Sequence, residues 1–98
     1  MPIRAQWIPF VEGMPRFDRD EPGVYELGNT LGAVVYIGSA DQLKRRVNEH
    51  LAESGTCIKR NASLYRVEYT HDHVSRARQL LDEHVKANGV PPVCNDGP

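Results

Sequence analysis

Between Gly23 and Leu51 the apolar residues pass from alternation along a strand to a repeat of four, and that switch admits few folds. Gly23-Val24-Tyr25-Glu26-Leu27 follows Pro22 and alternates apolar with polar. Gly28-Asn29-Thr30-Leu31-Gly32 is turn chemistry, and Ala33 to Ile37 is β-branched and aromatic before Gly38 closes it. Two such runs around a Gly/Asn connection predict a β-hairpin. The second run lacks polar alternation and is predicted to be covered on both faces. Leu43, Val47 and Leu51 then recur every four residues, which predicts a helix near 40–53, capped by Ser39 or Asp41 and stopped by Gly55.

The same reading continues to the end of the chain. Residues 55–62 read as a polar loop, and Ser63 to Tyr69 as a third strand. His71-Asp72-His73 reads as a solvated turn rather than a metal site, with Asp72 or Ser75 capping a second helix near 74–88. Ala77, Leu81 and Val85 are its expected buried stripe, and Gly89 with Pro91-Pro92 end it. The order β-β-α-β-α predicts an α/β (α+β) domain: a small three-stranded, mainly antiparallel sheet of strands 23–27, 33–38 and 63–69 flanked by helices. The 98 residues are read as one domain, with 1–22 an irregular lead and 90–98 an extended tail. Pro2, Pro9, Pro15 and Pro22 mark the lead, which has room for a short strand at Gln6-Trp7-Ile8. Trp7, Phe10 and Phe17 are expected to anchor it.

Composition narrows the classes. Hydrophobic residues at 40% and charged residues at 26% exclude a mainly disordered chain. Twelve basic side chains against thirteen acidic ones, net charge −1, exclude a histone-like binder but not a local basic patch. No apolar run approaches the roughly 18–20 residues of a membrane span, and Met1 to Ala5 lacks the shape of a signal peptide. A cytoplasmic protein without membrane contact is expected. In that compartment Cys57 and Cys94 are expected as two free thiols.

Tyr25 and Tyr36 fall on adjacent strands, where facing side chains meet. Gly38 ends the second strand, where a bare backbone lets a ligand approach. Arg46 and His50 are an i,i+4 pair at the edge of the stripe of Leu43, Val47 and Leu51. Gly23-Val24-Tyr25, Tyr36-Ile37-Gly38 and the following Ser39 to Arg46 together resemble the GIY-YIG nuclease superfamily. The tyrosines stand eleven positions apart, and Arg46 stands ten beyond Tyr36, with Arg45 the competing register. His50 is similar to a histidine one turn after the arginine in restriction-enzyme-like members. Pro92-Val93-Cys94-Asn95 resembles the closing Pro-x-x-Asn, and Glu83 precedes Asn95 by twelve, as in the excision-repair branch. Glu83 falls out of phase with the stripe of Ala77, Leu81 and Val85, and Asp82 is the other carboxylate in reach.

The resemblance implies a metal-dependent endonuclease acting on DNA. Glu83 would hold Mg²⁺ or Mn²⁺, a hard cation that takes oxygen ligands. Arg46 would clamp the phosphate, since a guanidinium pairs bidentately with it. Tyr25 is implied as the base and Tyr36 as its hydrogen-bonding partner. His50 is an alternative base, better placed to work near neutrality. Gly38, Lys44, Arg45 and Asn95 are expected to meet or position substrate, and Lys59-Arg60 could extend a phosphate-facing edge. Target choice is expected to come from a homodimer or a partner protein. The rival reading is a nucleic-acid-binding or interaction module that keeps the fold and has lost the reaction; metal-dependent nicking of plasmid DNA separates the two.

Overall fold

The computed structural model describes residues 3–11 and 20–96; Phe17 lies outside them. The elements in chain order are β1 (Ile8–Pro9), β2 (Gly23–Gly28), β3 (Val34–Ala40), α1 (Leu43–Ala52), α2 (Cys57–Asn61), β4 (Leu64–Tyr69), α3 (His73–Asn88) and a closing 3₁₀ turn, Val93–Asp96. The sheet is antiparallel in the order β1-β4-β2-β3. The three expected strands form it, and the two-residue β1 adds a fourth by pairing Ile8 with Tyr65 and Pro9 with Leu64.

The hairpin turn closes on Asn29. Its Oδ1 accepts from the amides of Leu31 and Ala33, and Gly32 (φ 82°) donates to its carbonyl. The pairing shifts between Leu27 and Gly28, which oppose Tyr36 and Val34, so Val35 is the extra residue of a bulge.

Register sorts the side chains onto two faces. Tyr25 opposes Gly38 and Val67, and Leu27 opposes Tyr36 and Tyr65, so these share the face packed by Leu43, Val47 and Leu51 of α1. Val24, Glu26 and Ile37 point the other way, where Ala77 and Leu80 of α3 and Ile3 of the lead pack on Val24 and Ile37. Helices therefore cover both faces of the hairpin, as the unbroken apolar run of β3 predicts.

Three local expectations are corrected. Neither Ser39 nor Asp41 caps α1, because β3 runs on to Ala40 and the helix begins at Leu43. Its free amides are met by residues before β2 instead: Leu43 donates to the Glu21 carbonyl and Arg45 to Asp20 Oδ1. The second helix is turned from its expected stripe. Ala77 and Leu80 are buried and Leu81 is half-buried, but Val85 is 40% exposed. Spacing of three fits the helix as well as spacing of four, and Leu80, not Leu81, takes the central place. The stretch read as loop holds α2, whose five residues are too few to show a period; Thr56 Oγ1 caps it by accepting from the Lys59 amide.

Cys57 and Cys94 are not free thiols. They form a disulfide that ties α2 to the closing turn, with Cα atoms 5.6 Å apart. Compartment statistics carry no information on which residues the fold brings together.

Asn95 closes the open edge of β3. Its Nδ2 donates to the Ile37 carbonyl and its Oδ1 accepts from the Ile37 amide, both at 2.9 Å, as a neighbouring strand would. Asn95→Ala removes both bonds and is expected to cost about 1–3 kcal/mol, since backbone groups lose their partners. Thermal unfolding checks this: a domain of this size loses roughly 4–8 °C of Tm per kcal/mol.

Candidate active site

Tyr25 and Tyr36 project from β2 and β3 onto one face, ring centroids 5.9 Å apart. His50, from the last turn of α1, stands against both, 5.7 Å from Tyr25 and edge-on to Tyr36 at 5.5 Å. Tyr25 Oη lies 2.8 Å from His50 Nε2, with both side chains buried. Gly38 makes room for this: a Cβ there would stand 2.5 Å from Tyr25 Cζ and Oη and 2.8 Å from the Tyr36 ring. The glycine ending the second triplet serves close packing of the two tyrosines.

Burial raises the Tyr25 pKa far above its ordinary value; Tyr36 adds to this and Arg46 opposes it. At neutral pH Tyr25 is therefore a phenol, hydrogen-bonded to His50 Nε2. Burial lowers the His50 pKa, nearby Arg46 lowers it further, and Glu53 and Glu49 oppose. His50 is thus a neutral imidazole, and its tautomer decides whether Nε2 accepts from Tyr25 Oη or donates to it. Nδ1 is buried and makes no hydrogen bond among the described residues; Glu53 Oε1 faces it at 3.6 Å.

Arg46 is half-buried at the mouth of the cluster, where Nη1 donates to Glu49 Oε1 at 3.1 Å, while Arg45 and Lys44 face solvent. A cleft of about 230 Å³ opens here, lined by Tyr36, Arg46, His50, Glu53 and Thr56 and walled by the disulfide. Lys59 and Arg60 are engaged elsewhere: Lys59 Nζ donates to the Leu51 carbonyl at the end of α1, and Arg60 Nη1 to that of Gly55. His73 is no solvated turn residue; it begins α3, and its Nε2 lies 2.9 Å from Asp41 Oδ1. Among the described residues no three His, Cys, Asp or Glu side chains gather as a metal cluster.

The structure brings Tyr25, Tyr36, Gly38, Arg46 and His50 together and sets Glu83 apart. Glu83 lines a different cleft with Glu26 and Arg66, whose register puts them on the opposite face of the sheet. Gln79 Nε2 lies 3.5 Å from its Oε2, and Arg76 beside it pairs with Glu68 of that same face. Asp82 faces solvent. Among the described residues, the carboxylate lining the tyrosine cleft is Glu53, one helical turn beyond His50. The expected metal ligand therefore does not fit an ion shared with the tyrosines and Arg46. Sequence reading missed Glu53 and Thr56; the i,i+3 spacing of His50 and Glu53 was the available signal.

A hairpin carrying both tyrosines, an arginine and a histidine on the next helix and an asparagine clasping the strand edge define a GIY-YIG domain. Known proteins agree. The GIY-YIG N-terminal endonuclease domain of UvrC from Thermotoga maritima, solved as a point mutant bound to its catalytic divalent cation, superposes with a TM-score of 0.55. That alignment has 26% identity and covers 76% of this chain and 83% of that one. UvrABC system protein C of Methylococcus capsulatus is 42% identical over 71 residues, 64% of this chain, and that of Legionella pneumophila (strain Lens) 33% over 75 residues, 76% of this chain. The chain spans about 12% of the length of either curated relative. Residues 1–87 match the sequence model of the family described as Domain of unknown function (DUF7508), and the chain belongs to that family.

Proposed function

We propose that this chain is an endonuclease that hydrolyses phosphodiester bonds in DNA, with Tyr25, Tyr36, Arg46 and His50 as its reactive groups. The observation that carries the reading is the 2.8 Å contact of Tyr25 Oη with His50 Nε2 beside the Arg46 guanidinium. A phenol with a raised pKa is no phenolate at neutral pH, so it takes a proton only as it gives one up. His50 Nε2, neutral and accepting, is where that proton goes. The water oxygen bonds to phosphorus while its proton passes to Tyr25 Oη and the Tyr25 proton passes to His50. The phosphorus–oxygen bond to the leaving sugar oxygen breaks, solvent protonates that oxygen, and imidazolium returns its proton to solvent. Arg46 neutralises the charge gathering on the non-bridging oxygens, and Tyr36, lining the cleft, orients the phosphate or the water.

The cation-bound relative supports Mg²⁺ or Mn²⁺ as a cofactor to supply in the assay. A divalent cation would stabilise charge on the phosphate oxygens; because Glu83 does not line this cleft, the proton path runs through Tyr25 and His50 alone. Nicking of supercoiled plasmid, with Mg²⁺, Mn²⁺ or EDTA, tests the reading. The expected result is nicked circles from the wild type with a cation and none from Arg46→Ala. Glu83→Gln is expected to cleave within about threefold of wild type, as a half-exposed side chain on the other face touches none of the reactive groups. A dead Glu83→Gln that still folds would return the metal to α3.

The position of Glu83 also favours a second reading, a nucleic-acid-binding module that keeps the fold without the reaction. No cleavage of DNA or RNA with either cation, together with binding that weakens as salt rises, would establish it.

A further inference from the structure

We infer that Glu53 is a positioning residue of the proposed reaction: it holds the Nδ1–H of His50, so that Nε2 stays bare to take the proton of Tyr25. The inference rests on the nuclease reading for its consequence, but not for its geometry. His50 is 2% exposed, and its Nδ1 is a buried nitrogen with no hydrogen bond among the described residues. Such a group costs about 1–3 kcal/mol when left unpaired. Glu53 Oε1 faces that nitrogen at 3.6 Å, just beyond hydrogen-bond distance. The Glu53 side chain is 35% exposed and lines the same cleft as Tyr36 and Arg46. Rotation of one carboxylate closes the gap, and catalytic hydrogen bonds often tighten only when substrate is bound.

The order carboxylate, imidazole, hydroxyl recurs on unrelated folds in which a histidine takes a proton from a weak acid. The carboxylate is not protonated; it fixes the tautomer and stabilises the imidazolium that forms. Here the hydroxyl is a phenol, and its proton moves to His50 Nε2 as a water proton replaces it. Among the described residues, the charged and titratable groups facing His50 are Tyr25 from β2, Tyr36 from β3, and Arg46, Glu49 and Glu53 from α1 and its C-cap. Arg46 and burial oppose the imidazolium, and Glu53 favours it. Glu53 sits at the C-cap of α1, and its amide already donates to the Glu49 carbonyl, so its side chain is not needed to end the helix.

Nitrogen NMR of the four histidines, with His50 assigned through His50→Gln, reads the tautomer without substrate. In the wild type at neutral pH, Nδ1 is expected to carry the proton and Nε2 none. In Glu53→Gln the protonation midpoint of His50 is expected to fall, because a favouring charge is lost. Cleavage should fall roughly tenfold or more in kcat with KM little changed, the scale for removing the partner that orients a histidine. Glu53→Asp should recover part of both. A wild-type His50 protonated on Nε2, or a midpoint and kcat unmoved in Glu53→Gln, overturns the inference. A wild type with the expected tautomer but no cleavage of any nucleic acid overturns the nuclease reading and leaves the orienting contact standing.

Discussion

Arg46→Ala is expected to lower plasmid nicking about a hundredfold or more while the domain stays folded, the scale of losing one preorganised donor to developing charge. Arg46 is the cationic residue of α1 that lines the tyrosine cleft. Its side chain is 42% exposed and held by Glu49, so its removal opens no cavity in the core. Arg45→Ala should change the rate by only a fewfold, because Arg45 faces solvent. Arg46→Lys should recover little, since a single ammonium does not reproduce the planar fork that meets two phosphate oxygens. Circular dichroism and Tm establish that each variant is folded, and initial nicking rates give the ratio. Equal losses in Arg45→Ala and Arg46→Ala would mean that the phosphate sits along the exposed face of α1, outside the cleft.

The hairpin and α1 were legible because their faces are set by short-range periodicity. Tyr25, Leu27 and Tyr36 share a face by strand alternation and register, and Arg46 and His50 follow from helical phase beside Leu43 and Val47. What was not legible depends on how distant segments dock. Leu80 and Leu81 are adjacent, and which of them packs centrally under α3 is decided by Val24, Ile37 and Ile3 of other segments. That rotation turns Glu83 toward Glu26 and Arg66 and away from the tyrosines. The pairing of Cys57 with Cys94 likewise exists only once the closing turn has met α2, a docking helped by the clasp of Asn95 on Ile37. Spacing along the chain carried Asn95 and Glu83 together as a motif pair, but the structure uses the first to hold the sheet edge and leaves the second across the sheet.

Tyr25→Phe is expected to have the largest effect of any conservative change, a loss of about a hundred- to ten-thousandfold in kcat, the range for removing a positioned proton-transfer group. The ring survives in the variant, so packing against Gly38 and Tyr36 persists and only Oη is lost. His50 Nε2 then keeps its lone pair in a buried site without its donor, at a cost of about 1–3 kcal/mol, which a modest fall in Tm reports. The pH profile separates loss of chemistry from loss of structure. Wild-type activity needs neutral His50, whose pKa is lowered by burial and by Arg46 from the usual 6.5. Activity should therefore climb as pH rises through that lowered value and be flat by neutrality. Stability has the same sign: the unfolded chain binds the His50 proton more readily than the folded one. The folded state is thus at full strength above 6.5 and loses ground as pH falls from there through the lowered folded value. In Tyr25→Phe the rising limb of the rate should disappear, because His50 no longer has a proton to take, while the stability limb remains. A Tyr25→Phe enzyme that keeps both its rate and its rising limb would move the base to Tyr36 or to His50 acting alone, and Tyr36→Phe and His50→Gln would then divide those two.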